Sequence, residues 1–589
     1  MEQNKFDWDL TKFCKDIKDC ENKLKQIDIK LEELVKYKGK LNNPSTLLEF
    51  WEKEQETESI FEDCYIYALA SKDIEETDQS FQQLSQKVMN MGSKISSKLA
   101  FVYPEFKHLG NDYLRSLLKD KNFENWKLEI EKIIDENEHT LSEAEEQILA
   151  QVGSFSVGFK NVYSSCFFGD VKYQDATDEN GVAHKITSGV INKYLFSNDR
   201  ELRKNVSLSV KEAYLSYQNS MAINFIYQLK QNVVISKIRK YKSVLDKSVS
   251  TYKTSPQVYN NIINYTKQNI NFVTRYFGLK KKILNFNPMF TYDMNIDIIK
   301  NNKKYSYEEG ISLIKNAMSI LGEDYVALID KAVNEHWIDV YPKEHKQSGA
   351  YTWGRYGKTY IILTNWNDDL ESVYTLAHEL GHAIQHYITE QNQEKQNSNF
   401  PIYIAEVASL FNEIILSDYL LKHSQSEDEK INVLSKQIND INSVIFNKVK
   451  HSEFEDFCYK ALENDESLSK EILNDKWLQI NKQGLENIID YSTFNTLRWE
   501  NIFHYYNVSY YVWQYALAFM IATNFATNII ENKKNAKENY LQFLKGTNKY
   551  FPTQFLQSLG IDIDDDKFYQ QFFETINNKI TEFENLFNN

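Results

Sequence analysis

Residues 378–382 read His-Glu-Leu-Gly-His. On a helix, positions i and i+4 share one face a turn apart, so both imidazoles can converge on one cation while Glu379 projects beside it. Two histidines, a cation and a nearby carboxylate are the parts needed to activate water. Zinc acidifies the water and polarises a carbonyl, and the carboxylate takes and later returns the proton. A catalytic zinc keeps three protein ligands and leaves one position open, so a third ligand must lie elsewhere. His386 extends the histidine stripe, but eight residues of helix rise about 12 Å, too far to share an ion with His378. The metzincin pattern needs Gly and His where Gln385 and Ile388 stand.

A carboxylate from a second helix remains. Pro401 opens an apolar helical stretch that carries Glu406 and Glu413, seven residues apart and on one face. A buried carboxylate needs a partner, and a metal supplies one. Spacing alone makes one of the two a ligand and the other an orienter of a ligating histidine, and leaves the assignment between them open.

A third feature is a run without Asp, Glu, Lys or Arg over residues 501–530, holding His504 and several tyrosines. Neutral donors in a water-poor setting suit a developing oxyanion; the plainer reading is an aromatic core with satisfied hydroxyls. The run is long enough to span a bilayer. His504, Asn507, Ser509, Gln514, Asn524, Thr527 and Asn528 are spread along it, however, and argue for a buried helix beside a polar cavity.

These groups need elements to position them. Asp368 and Glu371 form a capping-box-like pair before the apolar stripe Leu370, Val373, Leu376, Ala377, Leu380, Ile384 and Ile388, which predicts the motif helix. Just before it, residues 358–364 read as a strand, and this strand is expected to offer an edge where an extended peptide pairs along Tyr360, Ile361 and Ile362. With only 18 Gly and 7 Pro in 589 residues, long helices with short connections are expected elsewhere. Phe13, Ile17, Cys20, Leu24, Ile27, Leu31 and Leu34 form a seam that stops at Gly39 and at Asn42-Asn43-Pro44, which predicts a long helical hairpin. Residues 153–158 and 175–189 read as turn-rich connections, the second as a hairpin tip. A boundary near 195 divides the chain into a helical N-terminal domain, 1–195, and a catalytic domain, 196–589.

A net charge of −15 opposes binding to phosphate backbones, so nucleic acid is not an expected partner. Lys280 to Lys282 read as a solvated helix face. The five cysteines are odd in number and lack C-x-x-C spacing, which suggests neither a disulfide framework nor a thiolate zinc site. Together with a charged N-terminus lacking a secretory pattern, they lead us to expect a cytoplasmic protein with no membrane partner. The oligomeric state, monomer or small homo-oligomer, is not readable.

The sequence resembles the thimet oligopeptidase and oligoendopeptidase F peptidases, closest to the oligoendopeptidase F branch. The resemblance rests on Ala377-His378-Glu379-Leu380-Gly381-His382, on Ala405-Glu406-Val407-Ala408-Ser409 with Asn412-Glu413, on Ser348-Gly349-Ala350-Tyr351, and on His504-Tyr505-Tyr506-Asn507 with Tyr510 to Ala516. The last segment departs from the family pattern at Ser509 and Val512, where a proline and a tyrosine are common. The resemblance implies a mainly α fold: a helical N-terminal domain and a helical zincin-type domain with a small sheet, enclosing a deep substrate channel. It implies one Zn2+ per chain on His378, His382 and Glu406, with Glu413 behind a histidine and Glu379 as general base. It further implies oxyanion donors among His504, Tyr510, Tyr511 and Tyr515, and substrate contacts at Gly349, Ala350 and Tyr351. The expected activity is a zinc endopeptidase on unstructured oligopeptides of roughly 6 to 20 residues, set by about 3.3 Å of extended chain per residue. A zinc exopeptidase and a non-catalytic peptide-binding protein are the alternatives.

Overall fold

The computed structural model describes residues 5–299, 303–492 and 499–587. Helices dominate, as the scarcity of Gly and Pro predicts. The expected hairpin is formed by helices Ile17–Val35 and Pro44–Ile74. Asn43 caps the second through its side chain, which accepts from Thr46 N, and Pro44 takes the first helical position, where its missing N–H costs nothing. The seam residues Cys20, Leu24, Ile27, Leu31 and Leu34 are buried. They belong to one apolar core that also takes in Ile361 and Leu363 of the sheet. Burial of each large aliphatic side chain in such a seam stabilises by about 1.5–3 kcal/mol.

The chain divides into two compact units, each built from separate stretches. The first comprises residues 1–146, 302–419 and 521–561, and the second residues 147–301, 420–520 and 562–589. The point near 195 falls inside the second unit, whereas the N-terminal hairpin shares the first with the motif helix.

A three-stranded sheet in the first unit runs in the order Ile338–Asp339, Thr359–Leu363, Tyr351–Arg355. The strand at 359–363 is therefore central. It pairs in parallel with Ile338–Asp339 and antiparallel with Tyr351–Arg355, and all five of its residues are buried. This corrects the expectation that Tyr360, Ile361 and Ile362 present a free edge, since a central strand has spent its backbone groups on two neighbours. Of the two edge strands, Tyr351–Arg355 leads directly out of Gly349 and Ala350.

Three other local expectations change. Residues 153–158 lie within helix Glu143–Ser164, where isolated glycines lower helix propensity without ending the helix. The motif helix is capped by Asp369, whose carboxylate accepts from Ser372 N at 2.8 Å; Asp368, with φ +56°, accepts instead from the Trp366 indole at 3.1 Å. Of 280–282, only Lys282 is exposed: Lys280 is fully buried and donates to the Met294 carbonyl at 2.7 Å, and half-buried Lys281 donates to the Ile488 carbonyl at 2.8 Å. The tip at 175–189 does form a short hairpin, Ala176–Thr177 against Ala183–His184.

Candidate active site

Helix Leu370–Glu390 carries the motif, and helix Ile402–Lys422 carries both glutamates. They meet at Gly381. A Cβ built there would stand 2.6 Å from the Ala408 carbonyl oxygen and 2.6 Å from Ser409 Cα, so only glycine lets the two backbones approach this closely. Two side-chain ties hold the crossing. Asn412 Nδ2 donates to the Ala377 carbonyl at 2.9 Å while its Oδ1 accepts from Tyr325 at 3.0 Å, and the Tyr374 and Ser417 hydroxyls are 2.7 Å apart.

The crossing brings His378, His382 and Glu406 together, their nearest ligating atoms all within 4.8 Å of one another. The two Nε2 atoms are 3.2 Å apart, and Glu406 Oε2 is 3.6 Å from one and 3.8 Å from the other. Glu413 Oε1 lies 2.6 Å from His378 Nδ1, on the far side of that ring. Nδ1–H thus donates to Glu413, and the Nε2 lone pair is left facing the cluster. The His382 ring is likewise hydrogen-bonded to the Ala405 backbone. Two ring nitrogens that face each other at this distance beside a carboxylate need a positive charge between them, either a proton shared from one Nε2 to the other or a metal cation in its place. Four donors placed tetrahedrally at about 2.0–2.1 Å from a zinc ion would be about 3.3 Å apart, close to the spacings here. The donor set fits the implied metal.

The charges agree. Burial pulls the His378 imidazole down, but the hydrogen bond and charge of Glu413, with Glu406 and Glu379 behind it, outweigh burial and leave it pushed up to about 9. Burial, then the neighbouring His378 and His386, holds His382 well below its usual range. The carboxylates therefore favour one positive charge in the cluster. His386 takes no part: its ring stacks 5.1 Å from Phe400 and 6.2 Å from Tyr360.

Glu379 is 6% exposed, and burial raises its carboxyl above the ordinary range against the opposing pull of His378. Thr352 Oγ1, on the edge strand, lies 2.7 Å from Glu379 Oε2 and fixes its rotamer. Thr352 and Asn412 escaped the sequence reading as functional positions. Asn412 stood inside a quoted motif without a role, and nothing local marked Thr352. Gly349 (φ +91°) and Ala350 line a groove of about 270 Å³ with Asn365, Asn367, Glu371 and Thr375, beside the start of the motif helix. The Tyr351 hydroxyl is taken by Asp73 at 2.9 Å, and Tyr351 pairs with Leu363 in the sheet.

In the second unit, His504, Tyr511 and Tyr515 form a cluster. The His504 ring stacks on Tyr511 at 5.6 Å and meets Tyr515 edge-on at 5.9 Å. All three are half-buried. Burial, then the Lys448 charge, pulls His504 down to about 4, so its imidazole is neutral at physiological pH. Tyr510 is not part of the cluster. It is 1% exposed, its hydroxyl donates to Asp456 at 3.2 Å, and its ring packs on Tyr259 and Tyr459. Its left-handed backbone (φ +50°) is held by Glu455 Oε1, which accepts from Tyr510 N at 2.8 Å. Ser509, at a departure from the family pattern, bonds Tyr459 at 2.8 Å and Asn232 at 3.0 Å.

The sequence profile of "Peptidase family M3" matches residues 194–575, more than half of the chain, and that of "Oligopeptidase F" matches residues 105–173. The chain belongs to peptidase family M3. Within the family it is similar to Oligopeptidase PepF of Bacillus subtilis (strain 168), at 30% identity over 94% of this chain and 83% of that one. It is also similar to an Oligoendopeptidase F homolog of Lactococcus lactis subsp. lactis, at 28% identity over 99% of this chain and 97% of that one. A crystal structure from Chlamydophila abortus superposes with a TM-score of 0.89 at 28% identity over 99% of both chains. Oligoendopeptidase-F from Enterococcus faecium shares the fold, with a TM-score of 0.77 at 23% identity over 96% and 98% of the two chains. As an M3 peptidase of the oligopeptidase F branch, this protein is a metallo-oligoendopeptidase that hydrolyses oligopeptides. Among the described residues, no helix is long and apolar enough to cross a membrane. The uncharged run at 501–530 instead includes helix Trp513–Ile530, with Gln514 fully buried.

Proposed function

We propose that the enzyme cleaves internal bonds of unstructured oligopeptides with one zinc ion held by His378, His382 and Glu406 and with Glu379 as general base. The observation that carries this reading is the pair of facing Nε2 atoms 3.2 Å apart with the Glu406 carboxylate beside both. Bound there, zinc supplies Lewis acidity to the scissile carbonyl and lowers the pKa of water. Glu413 keeps the His378 proton on Nδ1 and so keeps Nε2 available as a ligand. Glu379, fixed by Thr352, takes the proton of the attacking water and hands it to the leaving amine. Burial supports that role, because a carboxyl raised toward neutrality both accepts and returns a proton readily.

His504, Tyr511 and Tyr515 are the proposed oxyanion donors. Their mutual packing and the neutral His504 support this, since uncharged donors stabilise developing charge without attracting a counter-ion beforehand. Tyr510, with its hydroxyl on Asp456, is better suited to holding the segment that carries Tyr511. The substrate backbone pairs with the edge strand Tyr351–Arg355, beside Gly349 and Ala350. Edge pairing selects extended chains and supports a preference for unfolded peptides. The odd set of cysteines without C-x-x-C spacing supports a cytoplasmic, reducing setting.

The deciding experiment offers the purified enzyme a peptide blocked at both termini, and the same peptide as an exposed loop of a stable folded protein, each with and without chelator. Chelator-sensitive cleavage of the free blocked peptide alone is expected. No cleavage of the blocked peptide would turn the reading to an exopeptidase, and equal cleavage of both forms would remove the requirement for an unfolded chain.

A further inference from the structure

Three of the five cysteines meet at one point in the first unit. Cys14 precedes helix Ile17–Val35, Cys20 lies in its first turns, and Cys64 belongs to the partner helix Pro44–Ile74. Their sulfurs all lie within 4.8 Å of one another, and the residues are 0–1% exposed. The hydrogen bonds these thiols make to backbone are long and weak: Cys14 Sγ to the Asp63 carbonyl at 3.9 Å, Cys20 Sγ to the Cys64 carbonyl at 3.9 Å, and Cys64 Sγ to the Cys20 carbonyl at 3.6 Å. A single buried thiol behaves as a small apolar group. Three sulfurs converging on one another form a donor set.

The surrounding charge points the same way. Asp63, the residue before Cys64, is 4% exposed and is met by three cations: Lys23 Nζ at 3.0 Å, Lys358 Nζ at 2.6 Å and Arg355 Nε at 3.2 Å. Of the three, Lys23 is the cation that acts on the Cys14 sulfur and favours its thiolate, with Asp19 opposing. Lys23 also donates to the carbonyl of Phe13, the neighbour of Cys14. Hydrogen bonds from Cys20 and Cys64 pull the Cys14 thiol down to about 4, while the same contacts push Cys20 up to about 12 and raise Cys64, so the trio holds one thiolate and two protons that a cation can replace.

The ligand type follows from the donors. No fourth His, Cys, Asp or Glu joins the cluster among the described residues. Hard cations need oxygen, and structural zinc wants four protein ligands. Three sulfurs about 2.3 Å from a central ion stand about 4 Å apart in a plane, which the cluster admits, and such a set selects soft ions. We propose that Cys14, Cys20 and Cys64 form a three-thiolate site for a soft, thiophilic metal cation, separate from the His-His-Glu centre. On binding, the two remaining S–H bonds lose their protons to solvent as three metal–sulfur bonds form, with no change of oxidation state. The bound ion ties the segment before the first helix to both arms of the N-terminal hairpin.

The test is an anaerobic titration of the reduced, zinc-loaded, full-length enzyme with Cd2+, followed by thiolate-to-cadmium charge-transfer absorption. A site of nitrogen and oxygen donors cannot produce this signal. The band should saturate at one Cd2+ per chain, be lost in C20A and C64A, and persist in C458A. A band that is absent, that grows only with large excess of Cd2+, or that survives in C20A and C64A overturns the proposal. Should those variants fail to fold, the cadmium-113 resonance of the wild-type enzyme decides, because sulfur ligation moves it far from the nitrogen–oxygen range. A spectrum without a sulfur-shifted resonance overturns the proposal equally.

Discussion

Nδ1 of His378 stands 2.6 Å from Oε1 of Glu413, while Nε2 of the same ring faces Glu406 Oε2 at 3.6 Å. One imidazole thus divides the two glutamates between two tasks, and their replacements should separate. Glu406→Gln removes a ligand charge and should weaken zinc binding far more than Glu413→Gln, for which an outer partner's loss of about 10 to 100-fold is expected. Competition with a metal chelator measures both, and the opposite order would exchange the roles.

In the proposed mechanism Glu379 handles the proton and does not ligate the ion. Glu379→Gln should lower kcat by about 10² to 10⁴-fold while zinc stoichiometry by elemental analysis stays at one. Thr352→Val removes the hydroxyl on Glu379 and should cost about 1.5–3 kcal/mol, read as a fall in kcat/KM with zinc retained. Loss of zinc in either variant would count against the division of labour.

Gly381 governs the helix crossing. Gly381→Ala forces a methyl to within 2.6 Å of Ser409 Cα and must push the glutamate helix outward. The stability cost should be about 1–3 kcal/mol, and zinc affinity should fall with it, because Glu406 moves with its helix. A variant with lowered Tm but unaltered zinc affinity would show that the crossing does not set the ligand distance.

Removing one oxyanion donor should act on the transition state. His504→Phe and Tyr511→Phe should each lower kcat by about 2.7–4 kcal/mol equivalent with little change in KM. Tyr510→Phe loses a hydrogen bond to Asp456 in the core and should show mainly as a lower Tm. If Tyr510→Phe falls in kcat and Tyr511→Phe does not, the donor assignment is shifted by one.

Chelation should abolish activity without unfolding the active-site helices. Asn412 on Ala377, Tyr374 on Ser417 and the close contact at Gly381 hold the two helices without help from the ion. Far-ultraviolet circular dichroism should stay unchanged on zinc removal, and added zinc should restore turnover. The Tm should drop by the share that ligand binding contributes through mass action.

Much of the centre is legible one residue at a time because its geometry is local. His378, Glu379 and His382 lie within one helical turn, and a four-residue spacing already dictates a shared face. The N-terminal hairpin is legible for the same reason: Cys20, Leu24, Ile27, Leu31 and Leu34 repeat with the helical period, and Asn43-Pro44 announces the next start. Where one residue separates two readings, local pattern falls short, as with the cap at Asp369, which the sequence places at Asp368.

What only the tertiary structure decides is every relation between elements distant in the chain. Glu406 and Glu413 share a face, so spacing cannot say which one faces the paired Nε2 atoms; the crossing at Gly381 and Ser409 sets Glu406 beside them and Glu413 on Nδ1 of His378. Residues 359–363 read as a strand from their β-branched and aromatic content, but whether that strand is edge or centre depends on Ile338–Asp339 and Tyr351–Arg355 taking its two sides. Cys14, Cys20 and Cys64 show no ligand spacing along the chain, and the packing of two helices sets their sulfurs within 4.8 Å. Hydrophobic period and capping are properties of a few consecutive residues, whereas a coordination sphere is a property of a packed core.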